Sequence, residues 1–383
     1  MSASLTALPT DPRDLDVEIL NQLIKAQTPG VTLSAFAITE SHVWGGGHAS
    51  SAGRIVIEPT YAMASPTALP RHIVIKVAKT APGQPGTPNP MAGAGGALYC
   101  NEVNVYQRLK PSTFLEAPVA LGGAYDPSTN ALTLLMEDLR DRGVRFANVT
   151  VPTSLDRMRS LLDQLAILHG RYWNSPELES TLGWMQWHTK GKIYDQFNTL
   201  EIAPKFIAHQ VETEQFKQEM VQRLGTTVDG LFRRFQMVQR HQARLAQTVC
   251  HGDTHIGNTY ILPDDRGGLL DWQLTSKGFA LHDVSYIIAT ALSVAERRAH
   301  ERELLAYYRE QLLARGVKEA PTLDALWLEY RRAMVWGVYI GWLTTPVVNY
   351  GWEITVIAHL RMMTAYEDLE TSESIDALTT SIN

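Results

Sequence analysis

HGDTHIGN, residues 251–258, runs directly into TYIL (259–262), a polar turn PDDRGG (263–268) and then LLDWQ (269–273). Two short apolar runs around an Asp-Gly-rich turn predict a β-hairpin. Such a hairpin returns Asp271 to the same end as Asn258, and Asp253 stands five residues before that asparagine. The donor set suits phosphoryl transfer. A carboxylate orients a hydroxyl and takes its proton, while an amide oxygen and a second carboxylate offer the hard oxygen ligands that Mg²⁺ prefers when it bridges phosphates. Asp253 is thus the candidate base, and Asn258 and Asp271 the candidate metal ligands. A second reading stays open at this point. His251, Asp253 and His255 alternate as the ligands of a metallohydrolase would, with His282 and Asp283 available to complete a set.

Upstream of this stretch the chain changes character twice. SAFAITE, GRIVIEP and HIVIKVAK read as strands by their β-branched content, the first two separated by WGGGHASSAG. Residues 80–96, dense in Pro, Gly and Ala, predict a long mobile loop. ALYCNEVNVYQRL has helical apolar spacing, and VALGGAYD and ALTLLMED are two further strands joined by PSTN. From about residue 150 the pattern is helical. SLDRMRSLLDQLAILHGRYW carries Leu155, Met158, Leu162, Leu165 and Leu168 on one face behind an N-cap Ser154, and a long helical stretch covers roughly 211–247. Helices continue to about residue 370, and the polar last dozen residues are expected to fray.

Composition narrows the class. The 383 residues, 45% hydrophobic and 19% charged, suffice for two packed lobes. A net charge of −6 with no basic tract speaks against nucleic acid. Two cysteines, Cys100 and Cys250, make neither a disulfide framework nor a zinc pattern, which suits a reduced, cytoplasmic setting. The N-terminus has no secretory pattern. The longest apolar run, Ala333 to Leu343, is far below the ~20 residues that span a bilayer and is expected to be a buried helix. No membrane association is expected.

HGDTHIGN with DWQ resembles the aminoglycoside phosphotransferase and choline kinase superfamily, and NEVNVYQRL, LLMEDL and LAILHGRYW are most similar to its ecdysteroid kinase-like branch. The likeness runs from about residue 40 to about 345. It implies an α+β, bilobal, protein-kinase-like fold: an N-lobe (1–136) with an antiparallel sheet and one main helix, and a larger, mostly helical C-lobe (137–383). It implies ATP and Mg²⁺ as cofactors. Lys76, on the third strand, takes the place of the lysine that holds nucleotide phosphates, with Glu102 fixing its ammonium. Gly45, Gly46 and Gly47 let backbone N–H groups approach phosphate, although their spacing departs from G-x-G-x-x-G, and Ser50 and Ser51 offer hydroxyls. Backbone groups at Met136, Glu137 and Asp138 hold the adenine edge. Asp283 braces the catalytic loop.

The acceptor is read from the C-lobe. Trp184, Trp187, Trp327, Tyr330, Trp336, Tyr339, Trp342, Tyr350 and Trp352 supply flat walls, and between Trp327 and Trp352 the only acidic residue is Glu329. This favours an aromatic or apolar hydroxylated acceptor, phenol or sterol-like, over a polycationic aminoglycoside. An amino alcohol such as choline, which needs an aromatic cage, remains an alternative. In another class, a non-catalytic nucleotide-binding pseudokinase is opposed by the presence of base, metal ligands and lysine together.

Overall fold

The computed structural model describes residues 8–42, 52–62, 69–78 and 95–380. Gly45, Gly46, Gly47, Ser50 and Ser51 lie outside the described residues, as do positions 80–94 of the Pro/Gly-rich segment. Contacts divide the chain into two compact units after Arg145.

The first unit is built on a five-stranded sheet: β1 (Leu33–Ser41), β2 (Ala52–Tyr61), β3 (Ile73–Ala78), β4 (Ala120–Asp126) and β5 (Ala131–Glu137). The spatial order is β1-β2-β3-β5-β4 and every pairing is antiparallel. Alternation puts Ile55, Ile57, Ile73, Ile75, Val77 and Leu135 into one core. That face is closed by α1 (Val17–Gln27), an element the strand-based reading does not include. Its signals are ordinary ones. The Asp16 carboxylate accepts the Ile19 N–H at 2.8 Å, and Leu20, Leu23 and Ile24 share a buried face. The second helix, α2 (Gly95–Asn104), ends in a π-helical turn, Val105–Leu109. The unit therefore has two main helices rather than one.

The second unit is mostly helical. Helix α3 (Leu155–Tyr172) starts where Ser154 Oγ accepts the Arg157 N–H at 3.1 Å, and it buries Met158, Leu161, Leu162, Leu165 and Leu168. The stretch read as one long helix is three: Ala203–Thr213, Gln215–Arg223 and Val228–Gln242. Glu214 is extended, and the chain turns at Leu224–Gly225 and restarts under Thr227, whose hydroxyl accepts the Gly230 N–H at 3.0 Å. An extended residue at Glu214 and a Gly225 turn followed by the Thr227 cap break the helix. The C-terminal segment does not fray at 372. It forms a helix, Thr371–Thr380, that buries Ile375, receives Arg332 Nε on the Ser374 carbonyl at 3.0 Å and pairs Asp376 with Arg234. The apolar run from Ala333 continues the helix Leu323–Trp336 into a π-helical turn, Gly337–Trp342, and is buried as expected. No described helix is long and apolar enough to cross a membrane.

Lys217 is wholly buried, its ammonium donating to Gln210 Oε1 (3.1 Å) and the Thr345 carbonyl (2.9 Å), with the Glu214 carboxylate 3.5 Å away. Burial lowers its pKa to about 8, against the opposing pull of Glu214. A lysine whose folded pKa lies below its unfolded value of about 10.4 binds fewer protons when folded, so stability rises with pH between those values. The urea midpoint of the wild type should thus gain on that of Lys217→Met between pH 7.5 and 9.5. A gap independent of pH would contradict this.

Candidate active site

The two units carry separate parts of the predicted set. On the first, Lys76 lies in β3 between Arg54 of β2 and Leu134 of β5. Its Nζ donates to Glu102 Oε2 at 2.6 Å, and the glutamate side chain, on α2, is only 1% exposed. A buried carboxylate needs such a partner, and the pair holds the ammonium at a fixed place on the sheet. Met136 pairs with both Val74 and Ala120 inside the sheet. The N–H groups of Glu137 and Asp138 donate to the carbonyls of Val119 (2.9 Å) and His72 (3.1 Å), and the Asp138 carboxylate holds Arg140. Those two donors are therefore engaged within the sheet edge.

On the second unit, a strand Thr248–Cys250 delivers the chain into His251–Asp253 and pairs antiparallel with Ser276–Gly278. The loop is tied down from three sides. Asp283, at the start of the helix Leu281–Ala291, accepts the His251 N–H on Oδ2 (2.6 Å) and the Gly252 N–H on Oδ1 (2.9 Å), and its backbone carbonyl accepts the Thr254 hydroxyl at 2.7 Å. His169 reaches the same carboxylate with Nε2 at 3.1 Å while its Nδ1 meets the Tyr308 hydroxyl at 2.7 Å. Burial alone would push Asp283 up, but the hydrogen bond from His169 and the neighbouring His169, His282 and His251 hold its carboxyl down to about 2. His282 Nε2 lies 2.9 Å from the Gly252 carbonyl. Gly252 has φ +88°, and a Cβ there would sit 2.0 Å from the Leu274 carbonyl oxygen, so only glycine makes this bend.

The base and the ligand candidates follow at once. His251 accepts the Asp253 N–H on Nδ1 (3.3 Å) and donates from Nε2 to the Leu270 carbonyl (3.0 Å), joining the loop to the hairpin. The hairpin forms as read, with Thr259 opposite Leu269 and Ile261 opposite Gly267, and the Leu270 N–H donates to the Asn258 carbonyl at 3.0 Å. That register sets Asp271, at φ +63°, beside Asn258. The Asn258 amide nitrogen donates to the Asp253 carbonyl (2.9 Å) and to Asp253 Oδ2 (3.0 Å). With its nitrogen so committed, the amide offers its oxygen to a cation. Removal from water raises the Asp253 pKa, with His255 pulling it down and Asp271 pushing it up, so two carboxylates act on each other here. An amide oxygen and a carboxylate beside a second carboxylate fit a hard divalent ion, and the alternating His251-Asp253-His255 set does not form a metal cage, since both His251 nitrogens are spent on the protein.

Three aromatic rings pack around His255, two residues after the candidate base. The His255 ring has Trp342 at 6.0 Å, Tyr286 at 6.1 Å and Tyr350 at 6.2 Å. Burial raises the Tyr350 hydroxyl pKa, and the charges of Asp253 and Asp271 add to this, which places Tyr350 near both carboxylates. Of the aromatic residues singled out in the sequence, Trp342 and Tyr350 belong to this cluster, Trp342 buried and Tyr350 partly exposed, whereas Tyr330, Trp336 and Tyr339 are buried elsewhere and Trp352 is exposed. Tyr286 escaped the sequence reading. It stands one helical turn after Asp283, a spacing that could have found it. Glu329 is buried and occupied by Arg332 and by His241 at 2.8 Å.

Comparison with curated protein sequences found no match. Among solved structures, the chain is similar to choline kinase from Cryptosporidium parvum, at 12% identity and a TM-score of 0.56, over 96% of this chain and 99% of the other. It is also similar to wild-type aminoglycoside 2'-phosphotransferase-IIIa in its GDP complex, at 13% identity and a TM-score of 0.47, over 92% and 99% of the two chains. At such identities the first likeness shows the fold, a bilobal kinase-like one. The family model for ecdysteroid kinase-like proteins matches residues 75–318, well over half of the sequence. The chain belongs to the ecdysteroid kinase-like family, phosphotransferases acting on hydroxyl groups of small molecules.

Proposed function

We propose that this protein transfers the γ-phosphate of ATP to a hydroxyl of a small aromatic or apolar acceptor, phenol or sterol-like. The observation that carries the acceptor class is the aromatic cluster of Tyr286, Trp342 and Tyr350 around His255, of which the partly exposed Tyr350 also lies near Asp253. Asp253 orients the acceptor hydroxyl and takes its proton. Its side chain is 30% exposed, so a substrate can reach it, and its raised pKa makes it a better proton acceptor than an ordinary carboxylate. Lys76, held by Glu102, neutralises nucleotide phosphate charge. The adenine edge is assigned to the backbone of the Met136–Asp138 segment, where the Glu137 and Asp138 N–H groups and the Asp138 carbonyl already have partners within the first unit. Asn258 and Asp271 would hold Mg²⁺, which supplies charge neutralisation on the transferring phosphoryl group.

A polycationic acceptor would need carboxylates to spare, and Glu329 is already paired. Aromatic rings also suit a quaternary ammonium, which makes an amino alcohol the competing acceptor. Acceptor-dependent ADP release from Mg-ATP, measured across phenols, sterols, amino alcohols and aminoglycosides, separates these. Phenols or sterols are expected to give the highest kcat/KM. Turnover confined to amino alcohols or aminoglycosides would overturn the acceptor class, and Tyr350→Ala, at the partly exposed ring of the cluster, should raise KM for the true acceptor about tenfold or more.

A further inference from the structure

Resting on the reading of Asp253 as the base, we infer that His255 is the second residue to touch the acceptor oxygen, donating a hydrogen bond to it from Nε2. The tautomer is set by the backbone. Nδ1 of His255 accepts the Gly257 N–H at 3.1 Å, so the neutral ring carries its proton on Nε2. The ring can sit over that N–H because position 257 has no side chain; a Cβ there would lie 2.7 Å from Cε1. The ring is further confined by Trp342, Tyr286 and Tyr350 and is 10% exposed.

The decisive length is the 3.9 Å between His255 Nε2 and Asp253 Oδ2. This is too long for a hydrogen bond, but it is the right width for one oxygen atom lying about 2.8 Å from each. A hydroxyl seated there gives its hydrogen to Asp253 and accepts from His255 with one lone pair, leaving the other lone pair for phosphorus. In the transfer, the acceptor O–H bond breaks and its proton passes to Asp253. The free lone pair forms the new P–O bond, and the bond from the γ-phosphorus to the β,γ-bridging oxygen breaks to release nucleoside diphosphate. The His255 proton is not consumed. Its task is to fix the oxygen's orientation, so that the lone pair points at phosphorus when the O–H bond weakens.

Two substitutions separate this role from a structural one. His255→Asn keeps an acceptor for the Gly257 N–H but has nothing at Nε2. His255→Gln places an amide N–H near the Nε2 position but loses the Gly257 contact. With the best acceptor of the panel, His255→Asn is expected to lower kcat roughly tenfold, the worth of one orienting hydrogen bond, with KM for ATP unchanged and a melting temperature no lower than that of His255→Gln. His255→Gln should recover most of kcat. Equal losses in both variants, a loss that tracks melting temperature, or full activity in His255→Asn would each overturn the role while leaving the kinase reading intact. A wild type inert toward every acceptor would overturn both.

Discussion

Asp253→Asn is expected to lower kcat for acceptor phosphorylation by about two to four orders of magnitude, with KM for ATP changed no more than a few-fold. The substitution is conservative where it matters for folding. An asparagine oxygen can still accept the Asn258 amide N–H that Asp253 Oδ2 takes at 3.0 Å, and the carbonyl of residue 253, which accepts the same amide at 2.9 Å, is untouched. What disappears is the negative charge and the ability to take a proton. Because phosphoryl transfer has a loose transition state, the base does its work late and mostly by orientation, so a residual rate should survive. Initial-rate kinetics on the purified variant, with urea unfolding to show that it is folded, check this. Unchanged turnover would remove Asp253 from the role assigned to it.

The second large effect is on stability. Asp283→Asn should destabilise the protein by about 3 kcal/mol or more and depress kcat with it. Three donors converge on the carboxylate: the His251 and Gly252 N–H groups and His169 Nε2. An amide puts a donor where one of these needs an acceptor, in a wholly buried place. The loop loses its anchor just before Asp253, which couples the stability loss to the catalytic one. The pH dependence has a definite sign. A carboxyl held at about 2 in the fold, against about 3.9 unfolded, contributes stability fully present above pH ~4 and lost as the pH falls toward 2. The gap between wild type and variant in urea midpoint should therefore be constant from pH 5 to 7 and narrow below pH 4. A gap that widened in acid would contradict the assignment.

The sequence reveals local structure around the candidate site wherever one local rule governs it. The hairpin from Thr259 to Leu269 followed from turn chemistry and β-branched runs, and with it the approach of Asp271 to Asn258. The brace at Asp283 and the pairing of Lys76 with Glu102 were found by position along a resemblance. What periodicity could not deliver was tertiary. The helix α1 obeys every local signal but gains its purpose only by covering the sheet. The C-terminal helix looks polar in sequence because only a narrow strip around Ile375 and Ser374 is buried. The aromatic cluster mixes residues from distant segments, so the list of aromatics in sequence could not separate Trp342 and Tyr350, which pack on His255, from Trp336 and Tyr339, which pack elsewhere. His255 was ambiguous for the same reason: its role depends on a 3.9 Å gap to Asp253.

The central claim is transfer of phosphate from ATP to a hydroxyl by a base at Asp253. ³¹P NMR of the protein with Mg-ATP and the preferred hydroxylated aromatic tests it most directly. The γ-phosphate resonance should decline as a phosphomonoester resonance grows in equal amount, with neither change in Asp253→Asn. Loss of the γ-resonance to inorganic phosphate alone, or a phosphomonoester formed equally well by the variant, would contradict it.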